Sequence, residues 1–137
     1  MKCSRRCQSL RLRIAAGSLM ENDDQQGLAH FMEHMAFNGT TNIPENDLLR
    51  ILERLGLAFG ADTNAATSFD QTFYQLELPR TNDETVDTAL RIMREQVSEA
   101  LMDADAVDDE RNVIVGEERT RNTPGLRSAK AQFALLA

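Results

Sequence analysis

The residue order predicts an α+β fold, an antiparallel sheet with helices packed on one face, and three observations carry that expectation. Leu10, Leu12 and Ile14 alternate with Ser9, Arg11 and Arg13, the period of a half-buried strand. Ser68 to Leu78 alternates as well, with Phe69, Phe73 and Gln75 on one side and Thr72, Tyr74, Leu76 and Leu78 on the other. Between and after these stretches lie segments whose apolar residues recur at helical spacing. Successive strands joined by short turns pair antiparallel, and they do not alternate strictly with helices as a parallel sheet requires.

Along the chain, Gln8 to Ala16 is the first expected strand. Gly17 to Gln26 is polar and turn-rich, with Asp23 or Asp24 as candidate caps for the helix that follows. Gly27 to Phe37 is expected as a compact helix, with Leu28, Phe31, Met32, Met35 and Ala36 at helical spacing and Asn38-Gly39 as its stop. Pro44 to Leu55 reads as a second helix, Pro44 near its first turn and Leu48, Leu52 and Leu55 on one face. Gly56 to Asn64 is expected to be extended, and Pro79 ends the strand that begins at Ser68. Asp83 to Leu101 reads as an amphipathic helix with Val86, Leu90, Met93, Val97 and Leu101 in its buried stripe. Asp105 to Thr123 is a further helix, stopped at Pro124-Gly125. Its Val113-Ile114-Val115 run predicts that it is largely buried. Residues 126–137 are helix-prone and end in an apolar Phe133-Ala134-Leu135-Leu136-Ala137, which implies a missing partner element. A sheet of three strands is small, and points the same way.

A length of 137 residues suits one modest domain with a real core. The net charge of −7 argues against nucleic acid or an anionic membrane as the main partner. The basic residues Lys2, Arg5, Arg6, Arg11 and Arg13 form only a local cluster. No apolar run approaches the roughly 20 residues of a membrane span. The basic start is not followed by the apolar segment of a secretory leader. Cys3 and Cys7 both lie in the first seven residues, too close together to staple a fold, and read as incidental.

The informative stretch is His30-Phe31-Met32-Glu33-His34. Residues four apart on a helix lie about 40° apart around the axis and one turn up, so both imidazoles leave one face. Two converging imidazoles hold a zinc ion, and Glu33 lies beside them, able to reach a metal-bound water without ligating. Histidine pairs on helices are often plain surface residues. Here, however, the chain has two histidines in all, and random placement would set them four apart about one time in seventy. Imidazoles and a carboxylate on an otherwise apolar helix need a partner.

Two histidines leave zinc short of the three protein ligands usual in a catalytic site. With no further histidine, the third ligand from this chain is a carboxylate. The candidates lie in Glu110-Arg111-Asn112-Val113-Ile114-Val115-Gly116-Glu117-Glu118. Glu110 and Glu117 share a helix face about 10.5 Å apart along the axis, and Glu118 points about 100° away. A Glu-rich helix is, taken alone, most often a solvated face.

At these residues the chain resembles the pitrilysin (insulinase) family of zinc peptidases, which use the inverted order His-x-x-Glu-His. The resemblance runs from Gly27 through Thr40, then Asn64-Ala65-Ala66-Thr67-Ser68 with Thr72 and Tyr74, then Glu110 to Glu118, and covers residues 9–125. Within the family it is most similar to large bacterial periplasmic zinc proteases. The resemblance implies a truncated half-domain of the mitochondrial-processing-peptidase-like metallohydrolase fold. Residues 1–8 would be a divergent stretch and residues 9–137 a partial N-terminal zinc-peptidase domain. It further implies one zinc per chain held by His30, His34 and Glu117, with Glu33 as general base and Glu110 as the accompanying carboxylate. Asn64 and Ala65 would lie at a strand edge that receives the backbone of a peptide or small protein substrate. A plain turn role for Asn64 explains the sequence equally well. Family members resemble clamshells of paired domains, so the chain would need its remaining domains or a partner chain to close the site. The exported relatives would place it in the periplasm, whereas a chain used without a leader would stay in the cytoplasm.

Three other readings compete. One is a zinc-binding but catalytically incomplete subunit. Another is a lyase of the kind that cleaves S-ribosylhomocysteine, which shares His-x-x-Glu-His but needs downstream cysteines that this sequence lacks. The last is a structural interaction module, which leaves Glu33 and the imidazoles without a purpose.

Overall fold

The computed structural model describes residues 8–58, 63–121, 123–125, 127, 128 and 132. Expectations for Cys3, Cys7, the basic residues Lys2, Arg5 and Arg6, the extended path through residues 59–62 and the apolar terminus Phe133 to Ala137 lie outside them.

The main elements among the described residues are β1 (Gln8–Ile14), α1 (Leu28–Met35), α2 (Glu45–Arg54), β2 (Thr63–Thr67), β3 (Thr72–Leu78), α3 (Asp83–Ser98) and α4 (Ala104–Arg121). The sheet order is β1-β3-β2, and both pairings are antiparallel. The fold class is the α+β arrangement read from the sequence.

Side-chain alternation decides which face of β3 is covered. Thr72, Tyr74, Leu76 and Leu78 are buried, and the residues between them are half-buried. Directly opposite residues share a face, so Leu10 meets Leu76, Leu12 meets Tyr74, and Ile14 meets Thr72. Leu48 and Leu52 of α2 and Ala89, Ile92 and Met93 of α3 close over Leu76 and Leu78, with Ile43 and Leu57 completing the core. The strand expected from Ser68 starts only at Thr72, because residues 68–71 form the hairpin turn, closed by Ser68 N–H donating to Gln71 O at 2.8 Å. Phe69 accordingly sits on an exposed turn.

The burial expected of two helices is corrected. Of the expected stripe, Met93 is buried and Val86 packs against the core, but Leu90 and Val97 of α3 and Leu101 just beyond it are 51%, 43% and 46% exposed. The buried face runs through Thr85, Ala89, Ile92, Met93 and Gln96, which keeps helical spacing but includes small and polar residues. The small Ala89 fits where the helix meets the sheet. In α4 no residue is buried, and Val113 and Val115 are 48% and 41% exposed. A β-branched run reports strand preference as readily as burial, so it does not establish a covered helix. No helix among the described residues is long and apolar enough to cross a membrane.

Two loops set α1 in place. Gly17 passes so close to the β2–β3 turn that a Cβ there would collide with Ser68 O, and Ser18 and Leu19 donate to Ser68 O and Phe69 O at 3.1 and 2.8 Å. On the other side of α1, the loop 38–43 is held by α3. The buried Glu95 carboxylate accepts from Thr40 Oγ1 at 3.0 Å and from Asn42 Nδ2 at 2.9 Å. Burial pushes the Glu95 carboxyl up, but those hydrogen bonds and the nearby Arg94 and Arg91 guanidiniums outweigh it and hold it below the usual carboxylate range.

Candidate metal centre and active site

The N-terminus of α1 is built differently from the expected aspartate cap. Gly27 occupies the N-cap with φ +91°, a left-handed conformation that glycine adopts without strain. Glu21 does the capping, its two carboxylate oxygens accepting from Gly27 N–H at 2.8 Å and Ala29 N–H at 2.7 Å. A carboxylate at this end also complements the helix dipole. Glu21 escaped the sequence reading, and its only signal was an acidic residue shortly before the helix. The Asn38-Gly39 stop is as expected, with Gly39 at φ +103°.

From this fixed helix His30 and His34 project together. Their Nε2 atoms lie 3.2 Å apart, with the rings edge to face. A tetrahedral zinc with bonds of about 2.0–2.1 Å separates two ligand nitrogens by about 3.3 Å. Helix α4 packs on α1 and brings two carboxylates to the pair. Glu110 Oε1 lies 2.6 Å from His34 Nδ1, and Glu110 Oε2 accepts from Asn38 Nδ2 at 2.9 Å. A carboxylate only accepts, so His34 Nδ1 carries the proton and Nε2 presents a bare lone pair toward His30. Burial, and secondarily the neighbouring His34, lowers the pKa of His30, which favours its neutral, ligating form.

Glu117, one face-repeat further along α4, sits 3.6 Å from His30 Nε2 and 3.9 Å from His34 Nε2. One ligating atom from each of His30, His34 and Glu117 can be chosen so that all lie within 4.8 Å of one another. Glu117 Oε2 is buried without a hydrogen-bond partner. Its close cation is the Arg121 guanidinium at 2.8 Å, which pairs by charge but is poorly aligned for a hydrogen bond. Two converging imidazole nitrogens and a carboxylate oxygen without a hydrogen-bond partner form a donor set that fits zinc. Glu118, the other carboxylate of the segment, is exposed and outside this cluster.

Glu33 lies on the inner side of α1, 8% exposed, and its Oε2 accepts from Thr67 Oγ1 at 2.6 Å. Tyr74 is buried near it. Burial, reinforced by the Glu33 charge, pushes the Tyr74 phenol up to about 12. Asn64 and Ala65 lie in β2, an outer strand among the described residues. Asn64 is exposed and pairs with Gln75 on the sheet's outer face, whereas Ala65 pairs with Tyr74 on the helix-covered face. Asn38 and Thr67 join the site although neither was assigned a role in it from the sequence. Each contacts it through tertiary closure and not through local spacing.

Comparison with known proteins gives one consistent picture. A family model described as Insulinase (Peptidase family M16) matches residues 3–126. The chain is 41% identical over 126 residues to the probable zinc protease PqqL of Haemophilus influenzae, covering 92% of this chain and 14% of that protein. It is equally identical over 128 residues to the probable zinc protease PqqL of Escherichia coli, covering 93% and 14%. The crystal structure of the first half of the periplasmic protease PqqL from Escherichia coli superposes with a TM-score of 0.84 at 39% identity, covering 95% of this chain and 28% of that one. The chain thus spans about one seventh of the length of these curated relatives.

Proposed function

The chain belongs to the insulinase family, peptidase family M16, and we propose that it carries the zinc-binding and proton-transferring part of an endopeptidase site. The observation that supports this reading best is the convergence of His30, His34 and Glu117 within 4.8 Å, with Glu33 on the same short helix. In this reading those three residues hold one zinc ion per chain. The ion, when bound, supplies a Lewis acid and brings the pKa of its water toward neutrality. Glu33 accepts the proton of the attacking water and returns it to the leaving nitrogen, so neither free hydroxide nor an amide anion has to form. Glu110 keeps His34 in the tautomer that ligates and fixes its ring plane. Strand β2, through Asn64 and Ala65, receives an extended peptide or small protein as an added strand.

The zinc protease relatives are far longer than this chain, and that favours a second reading: a zinc-binding subunit that needs its remaining domains or a partner chain to close over substrate. The relative in Escherichia coli is a periplasmic protease by its crystal-structure description, and we extend that location to this chain. Replacement of Glu33 by Gln tests the chemistry. Metal content should be unchanged, and peptide hydrolysis by the assembled enzyme should fall by roughly 10²–10⁴-fold, the scale of losing a general base. Unchanged turnover would refute the assignment.

A further inference from the structure

We propose that Thr67 is a positioning residue for Glu33, its hydroxyl orienting the carboxylate toward the proton it removes. The inference rests on the reading of Glu33 as general base and deepens it. Thr67 is the last residue of β2, and its Oγ1 reaches Glu33 Oε2 at 2.6 Å across 34 positions of sequence. The hydroxyl is itself pinned. Thr67 Oγ1 lies 3.2 Å from Thr72 Oγ1, its directly opposite partner on β3, and the single Thr72 hydroxyl proton is placed to serve either Thr67 Oγ1 or Ala16 O, 3.0 Å away. The Ser68 N–H bond to Gln71 O closes the turn immediately behind it.

A glutamate has three side-chain torsions, and a catalytic carboxylate is useful only when held close to its productive geometry. Engaging Oε2 from a rigid hairpin orients the carboxylate plane and with it the other oxygen. The strand does not demand the hydroxyl for its own sake. Valine has the same shape and favours strands at least as well, so a threonine here, aimed at a buried carboxylate, is explained by the hydrogen bond. The hydroxyl also satisfies an acceptor that burial would otherwise leave costly.

The test compares Thr67→Val, Thr67→Ser and Glu33→Gln with the natural chain, all at one fixed free-zinc concentration. Readouts are bound zinc, thermal midpoint and affinity for acetohydroxamate by calorimetry with the metal blank subtracted. A hydroxamate chelates zinc and donates a hydrogen bond to the neighbouring base, so its affinity reports the carboxylate's placement without turnover. Thr67→Val should keep bound zinc and weaken hydroxamate about tenfold or more, the scale of a hydrogen bond to a charged group. Thr67→Ser should restore it. Wild-type affinity in Thr67→Val, alongside weakened binding in Glu33→Gln, overturns the role of Thr67 alone. Unchanged binding in Glu33→Gln overturns the reading of Glu33 and this inference with it. If Thr67→Val does not fold, Thr67→Ala is read in the same way. Loss of the fold in both, with Thr67→Ser folded, assigns the hydroxyl to stability and overturns the proposal.

Discussion

At the proposed metal site, Glu110 is the residue that would set the strength of binding without touching the ion. Its Oε1 sits 2.6 Å from His34 Nδ1, and its Oε2 is anchored by Asn38, so one carboxylate fixes both the tautomer and the ring plane of a ligand. Glu110→Gln should therefore weaken zinc binding by about 10–100-fold, the usual cost of losing such a partner, as measured by competition with a chromophoric chelator. Unaltered affinity would mean the bond is incidental. At this scale the histidine pair was legible because its geometry is local: one helix and a spacing of four. The third ligand proposed for the site was not legible from pattern, because Glu110, Glu117 and Glu118 all fit an acidic helix. Only resemblance singled out Glu117. Glu21, Asn38 and Thr67 were not legible either, since their partners lie up to 72 positions away or on backbone atoms.

Among the elements, α2 and α3 make an instructive contrast. The Leu48–Leu52–Leu55 stripe of α2 was readable because its large apolar residues are also its buried ones, Leu48 and Leu52 at 2% and 1% exposure. In α3 the largest apolar residues lie partly outside the buried face, and the helix turns Ala89, Ile92 and Met93 inward. A pair of substitutions measures that phase. Ile92→Ala should cost roughly 2–5 kcal/mol of stability, as core truncations do, while Leu90→Ala should change it by about 0.5 kcal/mol or less. A larger loss for Leu90→Ala than for Ile92→Ala in chemical denaturation would mean that the sequence-derived phase was right. Helix α3 matters to the site because Glu95 and Glu99 tie down the loop that leaves α1.

For the whole molecule, the fold class was legible because alternation and helical periods are strong signals, whereas helix burial depends on what else packs against the helix. Leu90, Val97, Leu101, Val113 and Val115 remain 41–51% exposed, and the chain spans only about one seventh of its curated relatives. If substrate engages only the proposed β2 edge, the 137-residue chain should cleave peptides poorly or not at all. Robust hydrolysis by the pure chain would show that no further domain is needed. Metal binding is the whole-molecule property on which the account turns, because it requires α1 and α4 to close on each other. Its most direct measurement is zinc content by native mass spectrometry of the wild-type chain and of Glu117→Ala, each equilibrated with zinc and exchanged into metal-free buffer. One zinc per wild-type chain, lost in Glu117→Ala, is the result this account predicts. Zinc retained in full without the Glu117 carboxylate, or absent from the wild-type chain, would contradict it.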